Sequence, residues 1–228
     1  MTEPQLRLVP MGDQAVLAYL PDESAALQFA SMVRGLKEPW LVDVVSSYTS
    51  VAVFFDLDQT DYHQVAARLE VLAPQSATTA AARTTAAPHL IPCCYEFAED
   101  LPRVAQHTGL AAEQVIQLHA ATIYTVYAIG FCPGFPYLGY LPAALCGVPR
   151  LTTPRQRVDP GSVGLTGRQT GIYTQARPGG WNLIGRTPME LVNVADNYFP
   201  LRTGDRVQFV PIGVSEFRKL KGRRLEGR

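Results

Sequence analysis

Twelve of the eighteen glycines and nine of the eighteen prolines fall between Gly130 and Gly204. Helices do not tolerate that density, because in a helix interior Gly costs about 1 kcal/mol and Pro about 3 kcal/mol relative to Ala. The second half of the chain is therefore expected to be short strands joined by turns. Strand-like runs begin near Thr122, Val163, Gly171, Trp181, Glu190 and Arg206, several of them separated by Gly or Pro, the rhythm of a barrel or sandwich. Val207 and Phe209 alternate with Arg206 and Gln208, which predicts a half-buried last strand.

The first half reads differently. Leu6 to Val9, a Met11-Gly12-Asp13 turn and Ala15 to Leu20 predict a hairpin. Asp22 can cap a helix in which Leu27, Ala30, Val33 and Leu36 share a face. Val42 to Val45 and Ser50 to Phe55 are β-branched and aromatic, and Asp61 caps a second helix with Tyr62, Val65, Ala66, Leu69 and Leu72 on one side. The pattern predicts a small antiparallel sheet covered by two helices. Pro74 to Pro88, rich in Ala and Thr, reads as a linker. A strand from His89 to Tyr95 and helices over Leu101 to Thr108 and Ala111 to Ala120 follow, with Gly109 as the stop between them.

The chain of 228 residues is 47% hydrophobic and 18% charged, too apolar for disorder driven by charge. Twenty basic residues balance twenty acidic ones, so no global field argues for nucleic acid or an anionic membrane as a partner. No apolar run approaches the roughly 18 to 20 residues of a membrane span, and no leader pattern opens the chain, which makes a cytoplasmic location the expectation. Cys93, Cys94, Cys132 and Cys146 contain no Cys-x-x-Cys and read as reduced, buried thiols. No metal site is expected. Six basic residues between Glu216 and Arg228 read as a solvated, frayed tail.

P-loop, dinucleotide-binding and His-Glu-x-x-His motifs are all missing. Ser162 in Pro160-Gly-Ser-Val-Gly164 is not a nucleophile elbow, since Pro replaces the first Gly and no helix pattern follows. His63 and His107 lie among polar residues and read as surface groups. His119, closing the apolar run Val115, Ile116, Leu118, can titrate near neutrality as a proton carrier or cap carbonyls.

Gly130 to Pro142 packs four aromatics, three Pro and three Gly into thirteen residues. Such a loop either presents its aromatics to a partner or turns them inward as a packed Ω-loop. A presented loop makes Phe131, Phe135, Tyr137 and Tyr140 the interface. Gly161, Gly164, Gly167 and Gly171 then surround Arg168-Gln169-Thr170, ahead of Asn182, Arg186 and Thr187. Closely spaced glycines let a backbone approach a ligand, and Arg168, Gln169, Asn182 and Arg186 supply donors. From Gly130 to Pro200 six Arg face only Asp159, Glu190 and Asp196, a local excess of three positive charges that suits an anion.

The strings GFCPGFPYLGYLP, TPRQRVDPGSVG and GRQTGIYTQARPGGWNLIGRTP, with LHAATIYTVYAIGF around His119, resemble hallmark segments of one bacterial family. That family contains the B-type subunit of 5-oxoprolinase, the sporulation-kinase inhibitor and allophanate hydrolase subunit 1. Two positions depart from its usual pattern. The usual Val-Pro-Ala-Gly-Ser-Val reads Val158-Asp159-Pro160-Gly161-Ser162-Val163 here, which puts an acid, Asp159, in the place of the Pro, and Glu96-Phe97 replaces a Gly-Gly pair.

The resemblance implies an α+β protein with a small ferredoxin-like α/β domain and a cyclophilin-like β-barrel, which agrees with a division read from the pattern into 1–87, 88–215 and the basic tail (216–228). It implies one component of an ATP-dependent 5-oxoprolinase, inactive alone, which opens 5-oxoproline to glutamate together with the homologous C-type subunit of the enzyme and its A-type subunit. ATP with Mg²⁺ would act through the complex, with nothing tightly bound. His119, Arg168, Gln169 and Arg186 are the expected catalytic residues, and Gly134, Thr170, Asn182 and Thr187 the expected ligand contacts. The alternatives are half of a biotin-dependent carboxyltransferase or an inhibitor of a histidine kinase.

Overall fold

The computed structural model describes residues 6–78 and 87–225. The chain divides into two compact units, Met1–Thr85 and Ala86–Arg228.

In the first unit, β1 (Arg7–Pro10) and β2 (Ala15–Tyr19) form the expected hairpin, and β3 (Leu41–Ser47) and β4 (Ser50–Phe55) a second. Pairing of β2 with β4 gives the antiparallel order β1-β2-β4-β3. Helix α1 (Glu23–Gly35) starts where Asp22 accepts from the Ala25 N–H at 2.8 Å. Its Phe29 and Val33 pack with Val16, Val53 and Leu69 in one core. Helix α2 (Tyr62–Thr78) runs through Pro74, so the expected linker begins inside a helix; Ala73, Gln75 and Ala77 favour that state. The remainder of that segment, 79–86, lies outside the described residues.

The second unit contains β5 (His89–Cys93), β6 (Ile123–Ile129), β7 (Pro136–Gly139), β9 (Ser162–Thr166), β10 (Gln169–Ile172), β12 (Asn182–Arg186) and β13 (Arg206–Pro211). They lie in the order β5-β13-β6-β7-β10-β9-β12, antiparallel except where β13 meets β5. In place of the expected closed barrel, the ladder is open. Its edges touch at one bridge, where Cys94 and Arg186 exchange backbone hydrogen bonds of 2.8 and 3.0 Å. The chain enters a 3-10 turn at Tyr95 immediately afterwards, which ends the pairing. Gly185 is required at this contact, because a Cβ there would lie 2.7 Å from Cys93 Sγ.

Helices α3 (Leu101–Thr108) and α4 (Ala112–Ala121) are separated by Gly109 at φ 72°. The Gln114 side chain accepts from the Ala111 N–H at the start of α4. Val104 and Val115 join Ile91, Val126, Leu165 and Phe209 in the core. Strands β8 (Arg155–Val158) and β11 (Arg177–Gly179) form a separate two-stranded ribbon. Glu190, expected to begin a strand, makes only an isolated bridge to Arg224.

The tail is not frayed through its described length. Residues Val214–Leu220 form α5, Leu225 is buried, and Arg224 pairs with both Glu190 and Asp196. No described helix is long and apolar enough to cross a membrane.

Candidate functional site

The register of β9 decides where the expected donors fall. It turns through Gly167-Arg168 into β10, pairing Thr166 with Gln169, while β12 pairs Asn182 with Leu165 and Arg186 with Ser162. Arg168 and Arg186 therefore mark opposite ends of the same strands, about 13 Å apart for four steps of roughly 3.3 Å. They do not form one donor set.

At the Arg168 end the guanidinium lies 4.3 Å from the centre of the Tyr140 ring, which in turn contacts Tyr127. Gln169 is half-buried at the start of β10. Asn182, expected to contact ligand, is fully buried. It accepts from Arg103 Nε at 2.9 Å and donates to the Pro149 and Leu165 carbonyls, tying α3 to the sheet. Nearby, Asp100 receives the Leu183 N–H and a two-pronged contact from Arg155.

At the Arg186 end an open cleft of about 360 Å³ lies between the start of β9 and α5. Gly161, Tyr173, Arg186, Thr187, Phe217 and Lys221 line it. Gly161 sits at φ 84°, where only Gly is comfortable, and its backbone takes the Thr187 N–H at 2.8 Å. Arg186 is held loosely: Nε donates to the Pro160 carbonyl at 3.1 Å and one terminal nitrogen reaches Asp159 at 3.5 Å. Thr187 is buried, its hydroxyl accepting from the Met189 N–H. Glu190 also faces the cleft, but Arg224 and Asn193 hold its oxygens and keep its pKa below the usual carboxylate range.

His119 is fully buried, stacked on Phe209 with ring centres 4.6 Å apart. Thr170 Oγ1, also buried, has a single proton and is placed to give it to the Gly164 carbonyl at 3.0 Å. Nε2 must then donate to Thr170 at 3.0 Å, leaving Nδ1 to accept from the Tyr95 hydroxyl at 2.7 Å. Burial pushes its pKa down to about 3. Of the two expectations for His119, titration near neutrality or capping carbonyls, the burial supports neither: the ring, neutral around pH 7, ties α4 to β10, and Thr170, expected at the ligand, is part of the same tie.

The aromatic loop divides between its two readings. Phe135 is buried at the centre of a ring cluster with Tyr137, Tyr173 and Trp181, so it is core and not a presented interface residue. Tyr137 and Tyr140 are half-buried. Phe131 alone of the four is presented, 58% exposed in a left-handed conformation. Gly134 at φ 68° fits beneath Val192 and Phe199, where any Cβ would collide. Ser162 is buried at the start of β9, as befits a strand residue.

Sequence reasoning missed Lys221 and Phe217, which reach the cleft from a segment whose charge resembled a solvated tail. The signals were the two family departures. Glu96 accepts from the Val214 N–H and Phe97 packs edge-on against Phe217, so both anchor α5. Asp159 pairs with Arg157 and Arg186.

Residues 6–200 match the family described as carboxyltransferase domain, subdomain C and D. A protein of Haemophilus influenzae, named as the B-type subunit of 5-oxoprolinase, is 38% identical over 221 residues, covering 92% of this chain and 99% of that one. The crystal structure of TTHA0988 in space group P212121 superposes at TM-score 0.74 with 33% identity, over 88% of this chain but only 40% of that longer one. Urea carboxylase of Kluyveromyces lactis, 16% identical, shares the fold at TM-score 0.67, over 96% of this chain and 24% of that one. A likeness that runs nearly end to end with a relative of matching length carries the assignment: among carboxyltransferase subdomain C and D proteins, this chain belongs to the family of the B-type subunit of 5-oxoprolinase.

Proposed function

We infer that the chain is one component of an ATP-dependent 5-oxoprolinase that opens 5-oxo-L-proline to glutamate in the cytoplasm, its partners being the homologous C-type subunit of that enzyme and the A-type subunit. The observation that carries this is the near full-length identity to a relative named as the B-type subunit of 5-oxoprolinase. In this reading the first unit is ferredoxin-like and the second a cyclophilin-like barrel with an incompletely paired side.

An unstrained lactam carbonyl is a poor electrophile, and phosphorylation of its oxygen is the chemistry that ATP supplies. ATP with Mg²⁺ acts through the assembled complex, and no group of three or more His, Cys, Asp or Glu that could hold a metal ion occurs among the described residues of this chain. Arg186 and Thr187 are the residues best placed to hold negative charge. Arg168 and Gln169, at the far end of the strands, serve assembly or positioning instead. Phe131 meets the homologous partner.

The test is ATP-dependent glutamate formation by the chain alone, by its pair with the homologous partner and by all three subunits. Turnover only by the full set is expected. Turnover by the single chain refutes the composite site, and none by the full set refutes the oxoprolinase assignment.

A further inference from the structure

We propose that the cleft between β9 and α5 is a binding site for a small monocarboxylate with a compact apolar body, read by Arg186 from the sheet and Lys221 from the end of α5. Within the oxoprolinase reading on which this rests, the anion is the carboxylate of 5-oxo-L-proline, and the recognition of substrate lies in this chain.

The charge pattern is the first support. Two cations line the cleft, and the one lining carboxylate, Glu190, is already matched by Arg224. Asp159, beside the cleft, is shared between Arg157 and Arg186. Arg186 retains donors beyond its contacts to Pro160 and Asp159, and Lys221 is solvent-exposed with no salt bridge among the described residues. A planar guanidinium can meet a carboxylate with two parallel hydrogen bonds, whereas Lys adds a mobile point charge.

The lining is the second support. Tyr173, Met189, Leu191, Val192 and Phe217 supply apolar surface to the same cleft. A volume of about 360 Å³ lies at the small end of the roughly 300 to 1,000 Å³ typical of ligand pockets, which favours a compact guest. A polyphosphate fits poorly. Two lining cations cannot balance the several charges of such a group.

The construction is the third. Phe97 packs on Phe217, and Glu96 holds the start of α5, so the wall that bears Lys221 is pinned to the 3-10 turn that follows β5. Gly222 N–H reaches the Pro188 carbonyl at 2.9 Å, joining the end of α5 to the segment that follows Arg186. The two cations are thus carried by segments that are tied to each other.

The experiment is calorimetric and NMR titration of the full chain with 5-oxo-L-proline, 2-pyrrolidinone, inorganic phosphate and ATP–Mg²⁺. Saturable binding of 5-oxo-L-proline is expected, with shifts at Gly161, Arg186, Thr187 and Gly222. Pyrrolidinone, which lacks the carboxylate, should bind at least tenfold more weakly. Arg186→Gln and Lys221→Met should each weaken 5-oxo-L-proline at least tenfold, while Lys221→Arg stays within about threefold. Lys221 is exposed, so its variants test the site without testing the fold. Equal affinity for pyrrolidinone, preference for phosphate or ATP, or no saturable binding overturns the proposal. Failure of binding in a complex that still forms glutamate would remove this site alone; retained binding in a full set without turnover would remove the oxoprolinase reading and leave the cleft.

Discussion

Replacing His119 by Gln should flatten the dependence of stability on acid. The imidazole is enclosed by Tyr95, Tyr124, Thr170 and Phe209, none of which can balance a positive charge. Its folded pKa is depressed to about 3 from an ordinary 6.5, with desolvation as the cause. Between those values the unfolded chain binds the proton and the folded chain does not, so stability is complete above about pH 6.5 and drains away as pH falls toward 3. From pH 7.5 to 5.0 the linkage amounts to about 2 kcal/mol for this one group. Gln can donate one hydrogen bond to Thr170 and accept one from Tyr95, yet does not titrate. Imperfect geometry should cost about 1 to 3 kcal/mol at pH 7.5. Urea unfolding of both proteins at the two pH values isolates the effect, since every other titrating group cancels in the difference. Wild type should lose about 2 kcal/mol more than the variant on acidification. Equal losses would refute the claim that burial holds His119 neutral.

Arg186→Lys should lower the kcat/KM of the assembled complex at least tenfold with an unchanged melting temperature, because a point charge cannot reproduce the planar fork; steady-state glutamate assays and thermal melts check both halves. Phe131→Ser should leave unfolding unaltered and weaken association with the homologous partner at least tenfold in ultracentrifugation. Phe135→Ala should instead destabilise by about 3 to 5 kcal/mol in denaturant titration, as it empties the centre of the ring cluster. Asp100→Ala should cost about 3 kcal/mol in the same titration, because it leaves the buried Leu183 N–H without its acceptor and removes one of the two carboxylates that hold Arg155.

What the sequence made legible follows from what is local. The alternation and caps of the first half specify the β1-β2, α1, β3-β4, α2 succession because periodicity and an Asp cap act over a few residues. The glycine and proline density similarly marks β9, β10 and β12. The site was harder to read because it depends on register. Arg168 and Arg186 are eighteen positions apart, and nothing in that interval says that one hairpin and one antiparallel return carry them to opposite ends. Asn182 and Thr170 looked like ligand donors because their residue types do not reveal burial. Lys221 was hidden for the converse reason: the docking of α5 rests on Phe217, Leu225 and a few polar ties, too few apolar residues to raise a period above the surrounding charge.

The bridge between Cys94 and Arg186 places a mechanical fastening and a recognition residue on the same peptide unit. Thermal opening of the sheet at this point releases two amides together and lets the backbone that carries the Arg186 guanidinium drift. A guest gripping that side chain would resist such opening, so its occupancy should be recorded as slower hydrogen exchange at both amides. The Cys94 amide, on the opposite edge and buried, becomes an internal reporter: a molecule that never touches Cys94 should still lengthen its exchange lifetime, and the ratio of lifetimes with and without the guest gives the strength with which recognition fastens the fold.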